Sequence, residues 1–370
     1  MNSADIKAPA GRIVSIDALR GFDMFWIIGG DAFFRALLKL SDAPWAEALS
    51  VQLHHTKWNG FTFYDLIFPL FFFIVGVSMP FAISKRLQRG DSRRDIYIHI
   101  VKRTLVLFML GLVYNHILDL DFSSFRWSGV LQRIAVCYFL AAMIFMNFRI
   151  KGQAIAIGLI VFGYWAVMTL IPVPGFGAGV LTPEGNLASF IDRLLLPGRM
   201  CCFGFGDNEG ILSTIPAVAT TLLGGLAGHL LSSSFDQQKK LQGLVIAGFA
   251  GLALGLLWNL VFPINKLLWS SSYVLYAAGW SFLLMALFYW VIDMRGYQKW
   301  TFPFVVIGLN PITIYVLEGV FDFGTIAGIF VNGIVGHLGA LQPVVWIACV
   351  FLVKWYFLYF LYRQKIFLKA

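Results

Sequence analysis

His54 and His55 stand side by side, followed by "TKWNGFTFYD" and an unbroken apolar run from Leu66 to Val77. A membrane span needs no such preface. Imidazole titrates near neutrality and can take a proton from a reacting group, so a histidine at this edge is a candidate general base. Adjacent residues on an ordered segment point different ways, so at most one of the pair fills the role. The plain alternative for either is an interfacial histidine bonded to water or backbone. A carboxylate on the ring would fix its tautomer and raise its basicity. Asp31 lies in the outer half of the preceding apolar segment, at about the depth of His55, and is expected to meet it. Arg35, four residues on, offers Asp31 a rival partner on the same helix face.

Other polar residues gather near this edge. Asn59-Gly60 makes a turn and Asp65 sits one turn into the span, while Glu209, Asn265, Lys266 and Trp269 fall at the outer mouths of later segments. Trp58, Asn59, Asp65, Glu209, Asn265 and Trp269 are the expected substrate contacts, although Trp58 also suits a membrane-interface belt. Arg133, just inside its segment, either snorkels outward or faces a cavity as a phosphate or carboxylate ligand. Arg103 ends a basic patch at the opposite edge. Charges within apolar segments are costly and mark functional sites. No HExxH, Walker A, strand-borne GxGxxG or GxSxG pattern occurs. The cysteines (Cys137, Cys201, Cys202, Cys349) lack metal-type spacing, so no metal is expected. A bridge between neighbours is strained, and Cys201 and Cys202 are expected to be free thiols or packing groups.

The elements that must position these residues are membrane helices. Of 370 residues 59% are hydrophobic and 13% charged, too little charge for a soluble surface of this size. A span needs about 20 mostly apolar residues. That predicts an all-α polytopic membrane protein of about ten transmembrane helices, near Ala18–Leu38, Phe61–Ser84, Ile96–Ile117, Ser128–Asn147, Gln153–Ile171, Leu212–Leu231, Leu241–Phe262, Ser270–Ile292, Phe302–Val320 and Pro343–Tyr362. Asn310-Pro311 puts a backbone break inside the ninth. The glycine-rich stretch 322–338 reads as re-entrant or surface-lying.

Lys and Arg concentrate after the even-numbered spans, which puts both termini in the cytoplasm and His55 outside. The net charge of +9 is then mostly topology, and nucleic acid is an unneeded partner. The opening residues have no apolar core of a cleavable signal, so the first span is expected to direct insertion. The whole chain, 1–370, reads as one transmembrane domain with a cytoplasmic segment at 1–17. The long outer loop, 172–211, alternates Gly and Pro with apolar residues and is expected to pack as a lid.

Motifs in order along the chain carry a resemblance. "RIVSIDALRG" is similar to the N-terminal signature of transmembrane acyltransferases. "HHTKWNGFTFYDLIFPLFFFIVGVSM", "GVLQRIAVCYF", "PVPGFGAGVLTPEGNLASFIDRLLLPG", "EGILSTIPAV", "FPINKLLWSSSYVL", "GLNPITIYV" and "YRQKIFLK" resemble the heparan-α-glucosaminide N-acetyltransferase family and its bacterial members. The resemblance implies transfer of acetyl from cytosolic acetyl-CoA, as co-substrate, to the amine of a glucosamine-type acceptor on the other side of the membrane. The family's active histidine matches His55, and its first-span asparagine aligns with Asp31. Arg20, Arg103, Arg133 and Lys365 are the expected contacts for CoA phosphates, with Asp17 and Asp23 as alternative partners for Arg20. The family's large lumenal N-terminal domain has no counterpart, which fits a bacterial inner-membrane member surrounded by membrane lipid. A homodimer is also implied, and the small residues Gly224–Gly228 suit close helix contacts. Two other readings stand beside this one. An amino-sugar transporter suits the helix count, but transporters often carry internal repeats and none is found here. An O-acyltransferase of a cell-envelope polysaccharide would use the same donor.

Overall fold

The computed structural model describes residues 13–201 and 203–367, all helices and connections. The expected N-terminal segment, 1–17, and Cys202 lie wholly or mostly outside them. Among the described residues, eight helices are long and apolar enough to cross a membrane. They are α4 (Phe63–Gln88), α5 (Arg93–Tyr114), α6 (Val130–Asn147), α7 (Ile150–Leu170), α9 (Ile211–Ser232), α10 (Gln237–Asn259), α11 (Ser271–Phe288, running on to Met294) and α15 (Gln342–Arg363). The helices numbered between them are α1 (Val14–Phe25), α2 (Asp31–Leu38), α3 (Pro44–Gln52), α8 (Leu187–Leu195), α12 (Phe302–Leu309), α13 (Pro311–Val320) and α14 (Phe323–Val335). The protein is thus an integral, polytopic helical bundle.

Two expected spans are not straight. α12 and α13 meet at 59°, at the Asn310-Pro311 step. Proline lacks an N–H and disfavours helical backbone in the residue before it, so the helix stops there. The first expected span, near Ala18–Leu38, is divided at Gly29, whose φ of 130° leaves the helix. Lys354 of α15 donates to the Ile28 carbonyl beside that break, at 2.8 Å. This segment also carries Asp17, Arg20, Asp23, Asp31 and Arg35, of which the three Asp are buried. It turns a polar edge into the bundle. The 322–338 stretch holds α14, whose 13 residues reach about 20 Å, short of a bilayer core of about 30 Å.

The core is built by close backbone approach. A Cβ on Gly224 would lie 1.9 Å from the Phe73 carbonyl, and one on Gly228 2.4 Å from that of Val77. These small residues seat α9 on α4 within the protomer, so the segment expected to suit a dimer contact is already covered.

The long loop is packed against the bundle. Its α8 and the turn before it enclose a small apolar core with Tyr164, Met168, Phe262 and Leu268. Asn186 caps α8, accepting from the Ser189 amide at 2.7 Å. Cys201 is disulfide-bonded, correcting the expectation of a free thiol.

Candidate active site

His55 sits in the short connection between α3 and α4, on the end of the bundle that carries the long loop. Three anchors hold that connection. Gly60, at φ 120°, donates its amide to the Ile264 carbonyl at 2.8 Å. Asn265 donates to the Asn59 side chain at 3.0 Å. Trp58 donates its indole N–H to the Leu181 carbonyl of the long loop at 2.9 Å. The Trp-Asn-Gly turn is therefore docked onto the Phe262–Lys266 loop, far away in sequence.

The carboxylate on His55 is Asp65. Its Oδ1 lies 2.8 Å from the ring Nδ1. Its Oδ2 accepts from the amides and hydroxyls of Thr56 and Thr62, at 3.0–3.2 Å. The Thr62 amide contact is half of a capping box that starts α4. A carboxylate only accepts, so Nδ1 carries the hydrogen and the lone pair lies on Nε2. Asp31 does not make its expected contact with His55. It pairs with Arg35 at 2.8 Å and bonds to Tyr64, whose ring stands against His55 with centroids 4.7 Å apart. The break at Gly29 redirects α2, and the geometry of the first segment is not that of one straight helix. His54 is exposed, with Nδ1 2.8 Å from the Ser50 carbonyl.

His55 opens onto a cavity of ≈ 180 Å³ shared with Tyr64, Arg133, Glu209, Lys266 and Trp269. This is below the roughly 300–1,000 Å³ of a drug-sized pocket, so it fits the reacting ends of substrates and not a whole nucleotide. Lys266 brings its Nζ to 2.9 Å from His55 Nδ1, 3.1 Å from Nε2 and 3.6 Å from Asp65. Burial pushes the Lys266 ammonium below the usual lysine value, against the pull of Asp65 and Glu209. Arg133 donates to the Asn208 carbonyl and the Ser213 hydroxyl, both at 2.8 Å, and lies 4.5 Å over the Trp269 ring. Its Nε is buried with no protein partner, as is Oδ1 of Asn208, another residue of the cavity wall.

The wall at Asn208 and Glu209 is clamped by Arg126. Arg126 makes two bonds to Asp207, at 2.9 and 2.6 Å, and a further one to Glu209. Burial alone would raise the Asp207 carboxyl, but the Arg126 guanidinium holds it below the ordinary carboxylate range. A depressed folded value stabilises the fold above the unfolded value, near pH 4, and the contribution is lost as pH falls below that. Removing Arg126 strands a buried carboxylate. Breaking such a pair costs about 3–5 kcal/mol, and the low end applies because Arg126 is 22% exposed. Arg126→Ala is expected to melt well below wild type at pH 7, with the gap narrowing below pH ~4. Thermal unfolding in detergent across that range checks it; equal melting at pH 7 would contradict the clamp.

The remaining expected contacts lie elsewhere. Arg20 bonds Asp17, Ser78 and, at 3.4 Å, the Gly308 carbonyl next to the α12–α13 break. Arg103 lies over the Tyr138 ring at 4.5 Å, and its Nε is buried with no protein partner. Lys365 is exposed just past α15. Of the four residues assigned to the donor, only Arg133 lines the cavity. Tyr64, Arg126, Asp207 and Asn208 were not among the expected site residues, and Lys266 was noticed only as a polar residue at an outer mouth. The readable signal for Lys266 and Arg126 was their rarity as cations on that side.

Comparison with known proteins adds to the geometry. Residues 12–182 match a family described as a domain of unknown function, DUF5009. Heparan-alpha-glucosaminide N-acetyltransferase of Mus musculus is 31% identical over 86% of this chain and 55% of its own length. The Homo sapiens protein of that name is also 31% identical, over 86% of this chain and 54% of its own. The chain thus spans about half the length of the curated relatives it matches.

Proposed function

We propose, on the likeness to the heparan-alpha-glucosaminide N-acetyltransferases, that the chain moves acetyl from acetyl-CoA to the amine of a glucosamine-type sugar across a membrane. The observation that carries this reading is the imidazole of His55, held by Asp65 with its Nε2 lone pair toward a cavity lined by Arg133, Glu209 and Lys266. An amine attacks a thioester only when deprotonated, and a positioned histidine supplies roughly 10²–10⁴-fold by taking that proton. The Arg133 guanidinium on the cavity wall is a cation at hand for the thioester oxygen as charge develops on it. Holding both reactants in one small cavity contributes on the order of 7–11 kcal/mol in favourable cases. The remainder of CoA must then run along the bundle towards the basic edge, where Arg20, Arg103 and Lys365 are candidate phosphate contacts. Glu209, Trp58 and Trp269 serve the acceptor side.

The test is release of CoA. Purified protein with acetyl-CoA is expected to liberate CoA only when glucosamine is added. Vesicles that accumulate labelled glucosamine without releasing CoA would make the protein a transporter. CoA release driven by a neutral polysaccharide alone would make it an O-acyltransferase.

The reading also requires an orientation. Both termini are cytoplasmic, His55 faces outward, and the host is a bacterial inner membrane. Reporter fusions after Arg89 and after Gly179 are expected to read inside and outside respectively. The reverse would separate the site from its acceptor.

A further inference from the structure

Lys266 is a primary ammonium placed where a base would meet its substrate. Its Nζ is 3.1 Å from the lone-pair nitrogen of His55 and 3.6 Å from Asp65, and its side chain is only 15% exposed. Asn265 locks the turn that carries it, accepting from the Leu268 amide at 2.8 Å while donating to Asn59. The groups facing Nζ are His55, Asp65 and Glu209, with Arg133 on the far wall. Nζ stands over the imidazole, 2.9 Å from Nδ1 as well as 3.1 Å from Nε2, and fills the space beside the base that the acceptor must enter. An incoming amine has to displace it.

We propose that Lys266 marks the acceptor-amine subsite as an internal stand-in for the substrate, and that in the absence of acceptor its Nζ is itself acetylated by acetyl-CoA. The proposal rests on the acetyltransferase reading. In the step, the ammonium first gives one proton through His55 to solvent, the free Nζ forms a bond to the acetyl carbon, the carbon–sulfur bond breaks, and the second proton leaves the nitrogen for the thiolate, so that CoA departs as its thiol. Burial favours the free amine that this step needs. Proximity to the base distinguishes Lys266 from Lys57 and Lys39, which are exposed and stand as internal controls.

The experiment incubates the full-length protein with deuterated acetyl-CoA, with and without glucosamine, and reads the label on each lysine by peptide mass spectrometry. Lys266 is expected to carry at least about tenfold more label than Lys57, and to lose most of it when glucosamine is present. His55→Ala is expected to leave Lys266 unlabelled; if that variant fails to fold, the wild-type comparison decides alone. Unlabelled Lys266 in a preparation that acetylates glucosamine overturns this proposal and leaves the activity standing. Label equal to that on Lys57, or undiminished in folded His55→Ala, also overturns it. Labelled Lys266 without acetylated glucosamine keeps the subsite and removes glucosamine as the acceptor. Neither product removes both.

Discussion

His55→Ala is expected to lose acetyl transfer by roughly 10²–10⁴-fold while the protein stays folded. The ring is half-exposed, and the Asp65 carboxylate that it bonds keeps its partners in Thr56 and Thr62, which hold the start of α4. What goes is the lone pair at the cavity. His54→Ala is expected to behave as wild type, because its ring bonds backbone at Ser50 and faces away. Initial rates at saturating donor and acceptor separate the two. An active His55→Ala, or a dead His54→Ala, would return His55 to an interfacial role.

Asp65→Asn is expected to be nearly as damaging, by a route that leaves volume unchanged. The Oδ2 position takes hydrogen bonds from Thr56 and Thr62, so the amide oxygen of an asparagine must stay there. The amide NH₂ then points at His55 Nδ1 and donates to it. That moves the ring hydrogen to Nε2 and removes the base from the cavity. In the serine-protease triad the same exchange costs on the order of 10⁴-fold, and a loss of roughly 10³–10⁴-fold is expected here. The measurement is the transfer rate beside the melting temperature. A rate within a few-fold of wild type would mean that Asp65 only caps its helix.

Much of this site can be read along the chain, and most of the rest depends on contacts distant in sequence. The His-His-Thr-Lys-Trp-Asn-Gly run stood out because polar residues have no business at the start of so apolar a helix. The Asn310-Pro311 break was readable because proline acts locally. Asp31 was assigned to His55 from its depth in a straight helix. The Gly29 kink, supported from α15 by Lys354, is a long-range event that no local pattern reports. Asp65 is the partner because it lies in the first turn of α4, next to His55's own loop. Lys266 and the Arg126 clamp arise from loops docked across more than 75 residues. The Gly224–Gly228 segment makes the close helix contact that its small residues suit, but small residues mark close approach without saying to which helix.

Reconstituted vesicles test the central claim most directly. Acetyl-labelled acetyl-CoA is placed on the side of the basic loops, and glucosamine on the side of His55. The account predicts labelled N-acetylglucosamine on the His55 side, free CoA on the other, and neither with His55→Ala. Unmodified glucosamine crossing the membrane with acetyl-CoA intact would contradict it.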